Sequence, residues 1–113
     1  MKTEDFRDLL ISAARRQFPE ASIILTEKRK ITIEARVKIS EEIFIEVYYN
    51  TLNDKKSFAL IKNNQRIFGY DNYKYWHVHP HNNVTTHVLC EEPPIERVFE
   101  EIKEVILSFQ KNI

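Results

Sequence analysis

Glycine is almost missing: Gly69 is the only one in 113 residues. Turns therefore fall to Asn, Asp, Pro and Lys, and short, ordered connections are expected. Cysteine is as scarce. Cys90 stands alone, which excludes an intrachain disulfide and fits a reducing cytoplasm. There is no charge excess either, with 17 basic residues against 17 acidic ones. That balance excludes wrapping of nucleic acid by bulk positive charge, although a local basic face remains open. It also leaves little repulsion against a homodimer or a partner protein. No apolar stretch approaches the ~20 residues that span a bilayer. No apolar run follows a basic start, so no signal peptide is expected. Repeats, linkers and low-complexity segments are absent from the sequence, and one domain over residues 1–113, located in the cytoplasm, is the expectation.

What is present is a core's worth of apolar residues, 42%, laid out in clear periods. Residues 4–18 predict a helix. Glu4 and Asp5 suit its amino terminus, while Phe6, Leu9, Leu10, Ala13, Ala14 and Phe18 make one apolar stripe. Pro19 ends it. Residues 22–26 read as a short strand and Glu27 to Lys30 as a charged turn or strand end. Ile31, Ile33, Ala35, Val37 and Ile39 then alternate with Thr32, Glu34, Arg36 and Lys38, the period of an antiparallel strand with one wet face. Residues 42–50 follow with Ile43, Ile45, Val47 and Tyr49 inward. A polar loop over 51–56 leads to strands at 57–62 and 65–71, joined by Asn63-Asn64 in a type I′ turn. Gly69 within the latter strand predicts a bulge or a close backbone approach. Residues 85–90 can add a strand. Pro93-Pro94 opens a second helix from Ile95, striped by Val98, Phe99, Ile102, Val105, Ile106 and Phe109. The expected fold is α+β: an antiparallel meander of about five or six strands with both helices on one face. The opposite face then carries Thr32, Glu34, Arg36, Lys38, Phe44, Glu46 and Tyr48, a surface suited to a ligand or nucleic acid.

The chemistry concentrates between Gly69 and His87. This stretch holds all four histidines (His77, His79, His81 and His87), the only tryptophan and three of the five tyrosines. On a strand, His77 and His79 point to the same side, about 6–7 Å apart at their roots. His81 and His87 join them if Pro80 and Asn82-Asn83 turn the chain. Asp71 can orient an imidazole or act as a ligand. Three readings follow. Zinc held by histidines and a carboxylate is chemically sensible, although the spacing matches no specific zinc signature. Metal-free RNA cleavage needs a base, an acid and a phosphate-binding cation; histidines suit the first two, and Arg36, Arg66, Lys74 or Lys62 the third. Tyr70, Tyr73, Tyr75 and Trp76 can stack on bases. The third reading is structural: a solvated histidine loop, Trp76 and Tyr75 as core plugs, Asp71-Asn72 as a turn capper, and Cys90 as a small buried apolar residue.

Tyr70-Asp71-Asn72, His77-x-His79, Pro80-His81, His87 and Pro93-Pro94-Ile95-Glu96 with the helix after them resemble the TumE-like toxins of prokaryotic toxin–antitoxin pairs. The resemblance covers roughly residues 40–110 in order of elements. Such proteins often carry adjacent histidines after the proline, where this chain has Pro80-His81-Asn82-Asn83, and a glycine-rich approach is missing here. The resemblance implies a toxin encoded beside a helix-turn-helix antitoxin, with ribonuclease action and an RNA substrate. On that reading His77, His79, His81, His87 and Asp71 are the catalytic candidates. Arg36, Arg66, Tyr70, Asn72, Lys74 and Trp76 are the substrate-binding candidates. No cofactor is required; zinc at the histidines is the alternative. A non-enzymatic module that binds protein or nucleic acid is the competing function.

Overall fold

The computed structural model describes residues 1–81 and 86–110. Helix α1 spans Thr3–Gln17, strands β1 to β7 span Ser22–Lys28, Thr32–Lys38, Ile43–Asn50, Lys55–Lys62, Gln65–Asp71, His77–His79 and Val88–Leu89, and helix α2 spans Ile95–Gln110. The seven strands form one antiparallel sheet in sequential order, so the meander gains one strand over the expected five or six. The extra strand arises because the histidine stretch itself pairs: His77–His79 zips onto β5 and Val88–Leu89 onto β6. The expected strand at 85–90 is reduced to those two residues, and its beginning at Thr85 lies outside the described residues, as do Asn82 and Asn83.

Both helices cover the same face. Phe6, Leu10, Ala13 and Ala14 of α1 and Val98, Phe99, Ile102 and Ile106 of α2 are buried with Ile33, Val37, Ile45, Val47, Phe58, Leu60 and Phe68 of the sheet. Phe6 stacks on Tyr49 with ring centroids 4.4 Å apart, and the Tyr49 hydroxyl donates to the Met1 carbonyl at 2.8 Å. Leu9 leaves the expected stripe and is exposed, because the sheet and α2 take up the Phe6–Leu10 side of the helix. The helix ends as the proline predicts, with the Phe18 amide closing on the Ala14 carbonyl at 2.8 Å.

Scarce glycine is replaced in the turns by residues forced to positive φ. Arg29 and Lys30 join β1 to β2 at φ 54° and 55°, and Asn63 and Asn64 join β4 to β5 at 51° and 66°. The asparagine pair matches the type I′ expectation. The Arg29-Lys30 pair adopts the same backbone without the asparagine's local hydrogen bonding, at a cost of ~1–2 kcal/mol per residue. Lys55 and Lys56, expected in a loop, begin β4 instead. Lys56 is buried, its Nζ 2.9 Å from a Glu92 carboxylate oxygen and 5.5 Å from the centre of the Tyr49 ring.

The strand registers run four rows of side chains across the face that the helices leave open, the shortest being Lys28, Thr32, Asn50 and Lys55. One row is Ile24, Arg36, Glu46, Ala59, Gly69 and His79; the next is Thr26, Glu34, Tyr48, Ser57, Asp71, His77 and Leu89. The third is Ser22, Lys38, Phe44, Ile61 and Arg66. Ser57, Ala59 and Gly69 are the smallest members, and they leave a trough in the middle of the face.

Gly69 meets its neighbour as a close approach. A Cβ built there would lie 2.5 Å from the Phe58 carbonyl oxygen. The bulge falls beside it, where Leu60 faces Phe68 but Ile61 faces Arg66, so Ile67 is the inserted residue. Because the clash is with backbone, Gly69→Ala is expected to destabilise the protein by about 1–3 kcal/mol. A lower urea midpoint at unchanged slope will report it; an unchanged midpoint would mean that β4 yields without penalty.

Candidate functional site

The site grows out of the sheet's period-two geometry. Asp71, His77 and Leu89 share one row, and His79 lies beside them opposite Gly69, all on the open face. Arg66 joins them because of the bulge. Counted back from Phe68 without an insertion, Arg66 would face the helices; the added Ile67 turns it outward, as bulges re-aim side chains. Its Nη2 lies 3.5 Å from His79 Nδ1. His87 precedes β7 by one residue, and its ring returns over the pair. The ring centroids are 4.9 Å apart for His77–His79, 4.7 Å for His77–His87 and 4.4 Å for His79–His87, with His87 stacked on His77 at 27°. His77 and His79 are buried although they lie on the open face; His87 is exposed.

Asp71 holds the two buried rings with its two oxygens. Oδ1 is 3.0 Å from His77 Nε2, and Oδ2 is 2.9 Å from His79 Nε2. Oδ1 also accepts the Tyr73 amide at 3.0 Å, so the carboxylate caps the turn that follows β5 as well. The proton positions follow from the partners. His77 Nδ1 lies 2.8 Å from the Tyr75 carbonyl, which can only accept, so that nitrogen is protonated. Its Nε2 faces the Asp71 carboxylate at 3.0 Å, an acceptor toward which that edge of the ring is held. His79 donates from Nε2 to Asp71 and turns Nδ1 toward Arg66.

These contacts set the charge states. Burial pushes the Asp71 carboxyl up, but the hydrogen bonds from His79 and the Tyr73 amide, with the charges of His77 and His79, outweigh it and leave the group below its ordinary value. Desolvation against the neighbouring rings, reinforced by positive charge on His79 and His77, holds His87 below the ordinary histidine value, and Asp71 offsets this only in part.

Around the cluster, Arg66, Tyr73, Lys74, Tyr75 and Leu89 complete a shallow depression of about 440 Å³. Tyr73 and Tyr75 are exposed, and Lys74 sits at φ 67° with its Nζ 6.0 Å from the centre of the Tyr73 ring. A second depression of about 400 Å³ lies along the trough between Ile24, Arg36, Tyr48 and Ala59. Arg36 is there, 2.9 Å from Glu46 and over the Phe44 ring at 4.3 Å. It lies four strand spacings from His79 along the row, about 19 Å.

Other residues singled out from the sequence lie elsewhere. His81 is away from the three-histidine cluster and packs edge-on against Phe109 of α2, ring centroids 5.0 Å apart, with Lys62 over the same phenyl ring at 4.2 Å. Tyr70 and Trp76 face the helices. The Tyr70 hydroxyl donates to Glu101 at 2.6 Å, and burial, with that carboxylate, pushes it above the ordinary tyrosine value. Trp76 packs on the core, as does Cys90, whose thiol is raised mainly by burial. Asn72 is a brace: its Oδ1 accepts the Lys56 amide at 2.8 Å and its Nδ2 donates to the Asp54 carbonyl at 2.6 Å. Leu89 escaped the reading of the sequence, although its spacing of two from His87 was a usable signal.

Because Asp71 has a lowered native value, its contribution to stability is complete above the unfolded carboxylate value of 3.8 and is lost as pH falls through the native value. The stability gap between wild type and Asp71→Asn is therefore expected to be level from about pH 5 to 6 and to shrink below about pH 4. Urea unfolding at stepped pH measures it; a gap unchanged down to pH 2.5 would mean that the carboxylate is not held by these contacts.

Compared with known proteins, the chain matches the family model described as Toxin TumE over residues 8–107. No curated protein and no solved structure matches it. The matched span runs from the first helix to near the end of the second and contains the whole cluster. This chain belongs to the Toxin TumE family, and as a member of a toxin family it implies an antitoxin partner.

Proposed function

We propose that this toxin is an endoribonuclease that cleaves RNA without a metal ion at the Asp71, His77, His79 and His87 cluster. The observation that carries the reading is the convergence of three imidazoles, one carboxylate and one guanidinium at the end of an open sheet face. Those groups supply the base, acid and phosphate-binding cation that the reaction needs.

Each role follows from exposure and hydrogen bonding. His87, the exposed ring, takes the proton from a ribose 2′-hydroxyl. The 2′ oxygen attacks the adjacent phosphorus and the bond to the 5′ oxygen breaks. His79 donates from Nδ1 to that leaving oxygen once Nδ1 has taken up a proton and Arg66 has moved from it to the phosphate, with Asp71 at Nε2 balancing the charge. The products are a 2′,3′-cyclic phosphate and a 5′-hydroxyl. Arg66, beside His79 Nδ1, neutralises the non-bridging oxygens. His77, with one ring nitrogen toward Asp71 and the other toward Tyr75, is a positioning residue. Tyr73 and Tyr75 offer exposed rings to flanking bases and Lys74 a charge to the backbone, the usual means of holding single strands. The partner in this reading is a helix-turn-helix antitoxin protein.

Induced expression in a bacterium, with growth and total RNA followed together, tests the proposal. His87→Ala removes an exposed ring, so it is expected to fold as wild type, to lose growth inhibition and to lower cleavage of RNA by ~10²–10⁴-fold in the presence of a chelator. His81→Ala, on the helix side, is expected to retain both. Growth inhibition and cleavage retained in His87→Ala and His79→Ala alike would overturn the proposal. Arrest without any RNA loss would shift the function to non-enzymatic binding.

A further inference from the structure

We infer that His77, His79 and His87 also form a binding site for a transition metal ion of the zinc class, and that its occupation silences the cluster. One ligand nitrogen from each of the three histidines lies within 4.8 Å of the others. Around a tetrahedral ion with Zn–N bonds of 2.0–2.1 Å, neighbouring donors stand about 3.4 Å apart. The rings therefore need to converge by no more than about 1.4 Å. The two buried rings are held in place, and the exposed one, His87, is the ring with room to make that movement.

The surroundings match what metal-bound imidazoles require. His77 has its Nδ1 anchored on the Tyr75 carbonyl, which leaves Nε2 as the ligand atom and fixes the ring's direction. Asp71 is not one of the three clustered donors, but its oxygens stand 3.0 and 2.9 Å from the Nε2 atoms of His77 and His79, and it brings the negative charge that a dication needs. The nearest cation, Arg66, approaches His79 from its Nδ1 edge, away from the Nε2 that faces Asp71. Imidazole with one carboxylate favours zinc, copper or nickel over magnesium or calcium. Silencing follows because a bound ion takes the lone pair with which His87 would accept the 2′ proton. The metal site stands on geometry by itself; the silencing rests on the ribonuclease reading above.

Metal-free, untagged wild-type protein should be titrated with cobalt(II) alone, without RNA, and followed by its visible absorption, then with zinc by calorimetry. About one equivalent with the strong bands of a tetrahedral cobalt centre is expected. His87→Ala, checked for native circular dichroism, should bind at least tenfold more weakly. His81→Ala should bind as wild type. Less than about a tenth of an equivalent, or equal affinity in His87→Ala, would overturn the site. RNA cleavage is then compared with chelator and with zinc. Inhibition by zinc that chelator reverses supports silencing, and cleavage unchanged by bound zinc overturns it. Cleavage that appears only with metal would keep the site and overturn the metal-free mechanism instead. Metal binding with no cleavage under any condition would overturn the ribonuclease reading and the silencing with it, leaving the metal site intact.

Discussion

The Asp71 carboxylate joins the end of β5 to both histidines of β6, with N···O distances of 2.9 and 3.0 Å. Strands β6 and β7 have three and two residues, too few for their ladder bonds alone to hold them on the sheet. The carboxylate adds two charge-assisted contacts to β6 and accepts the Tyr73 amide in the turn that leads there. Next to it Asn72 ties the same turn back to β4 through the Lys56 amide and the Asp54 carbonyl. One dipeptide therefore does two jobs, with Asn72 fixing the turn to the sheet and Asp71 fixing the rings over the turn. The three-histidine cluster exists in this form because those two anchors are adjacent in sequence.

The one-sided sheet is the second constraint. Both amphipathic helices bury their stripes on the same face, so every second residue of each strand is left toward the open side. Among the described residues, burial of His77 and His79 on that side comes from neighbouring polar groups and the His87 ring, with neither helix above them. Such a position combines restricted water with access from outside. A side chain there can be oriented by fixed dipoles and still meet a large ligand, as acid–base chemistry on a polymer requires.

Local irregularity supplies the remaining parts. The inserted Ile67 changes which side of β5 Arg66 occupies, and thereby brings a guanidinium to the histidines. The missing side chain at Gly69 lets β4 and β5 approach to a distance that a Cβ would not permit. Lys74, at positive φ, brings the chain round between β5 and β6. In a chain with one glycine these departures fall on or beside the candidate site, where strain and function commonly coincide.

The sequence by itself determined the helices, the alternation that builds the meander, the type I′ turn at Asn63-Asn64 and the family. Each of these is encoded by residues close together in the chain, through period, turn preference or motif. It also marked His77 and His79 as same-sided, since spacing two on a strand leaves no other choice. The division of the aromatic and charged candidates between two faces was decided only in the tertiary structure. Tyr70 and Trp76 fell to the helix side because they alternate with Asp71 and His77, a consequence visible only once β5 and β6 pair. His81 followed them to Phe109, while His87 returned from ten residues beyond His77 to complete the cluster. Arg66 reached the open face through a bulge whose position depends on the register of two strands. Register, pairing and faces are long-range properties, set by burial of the whole sheet against two helices, and no local pattern contains them.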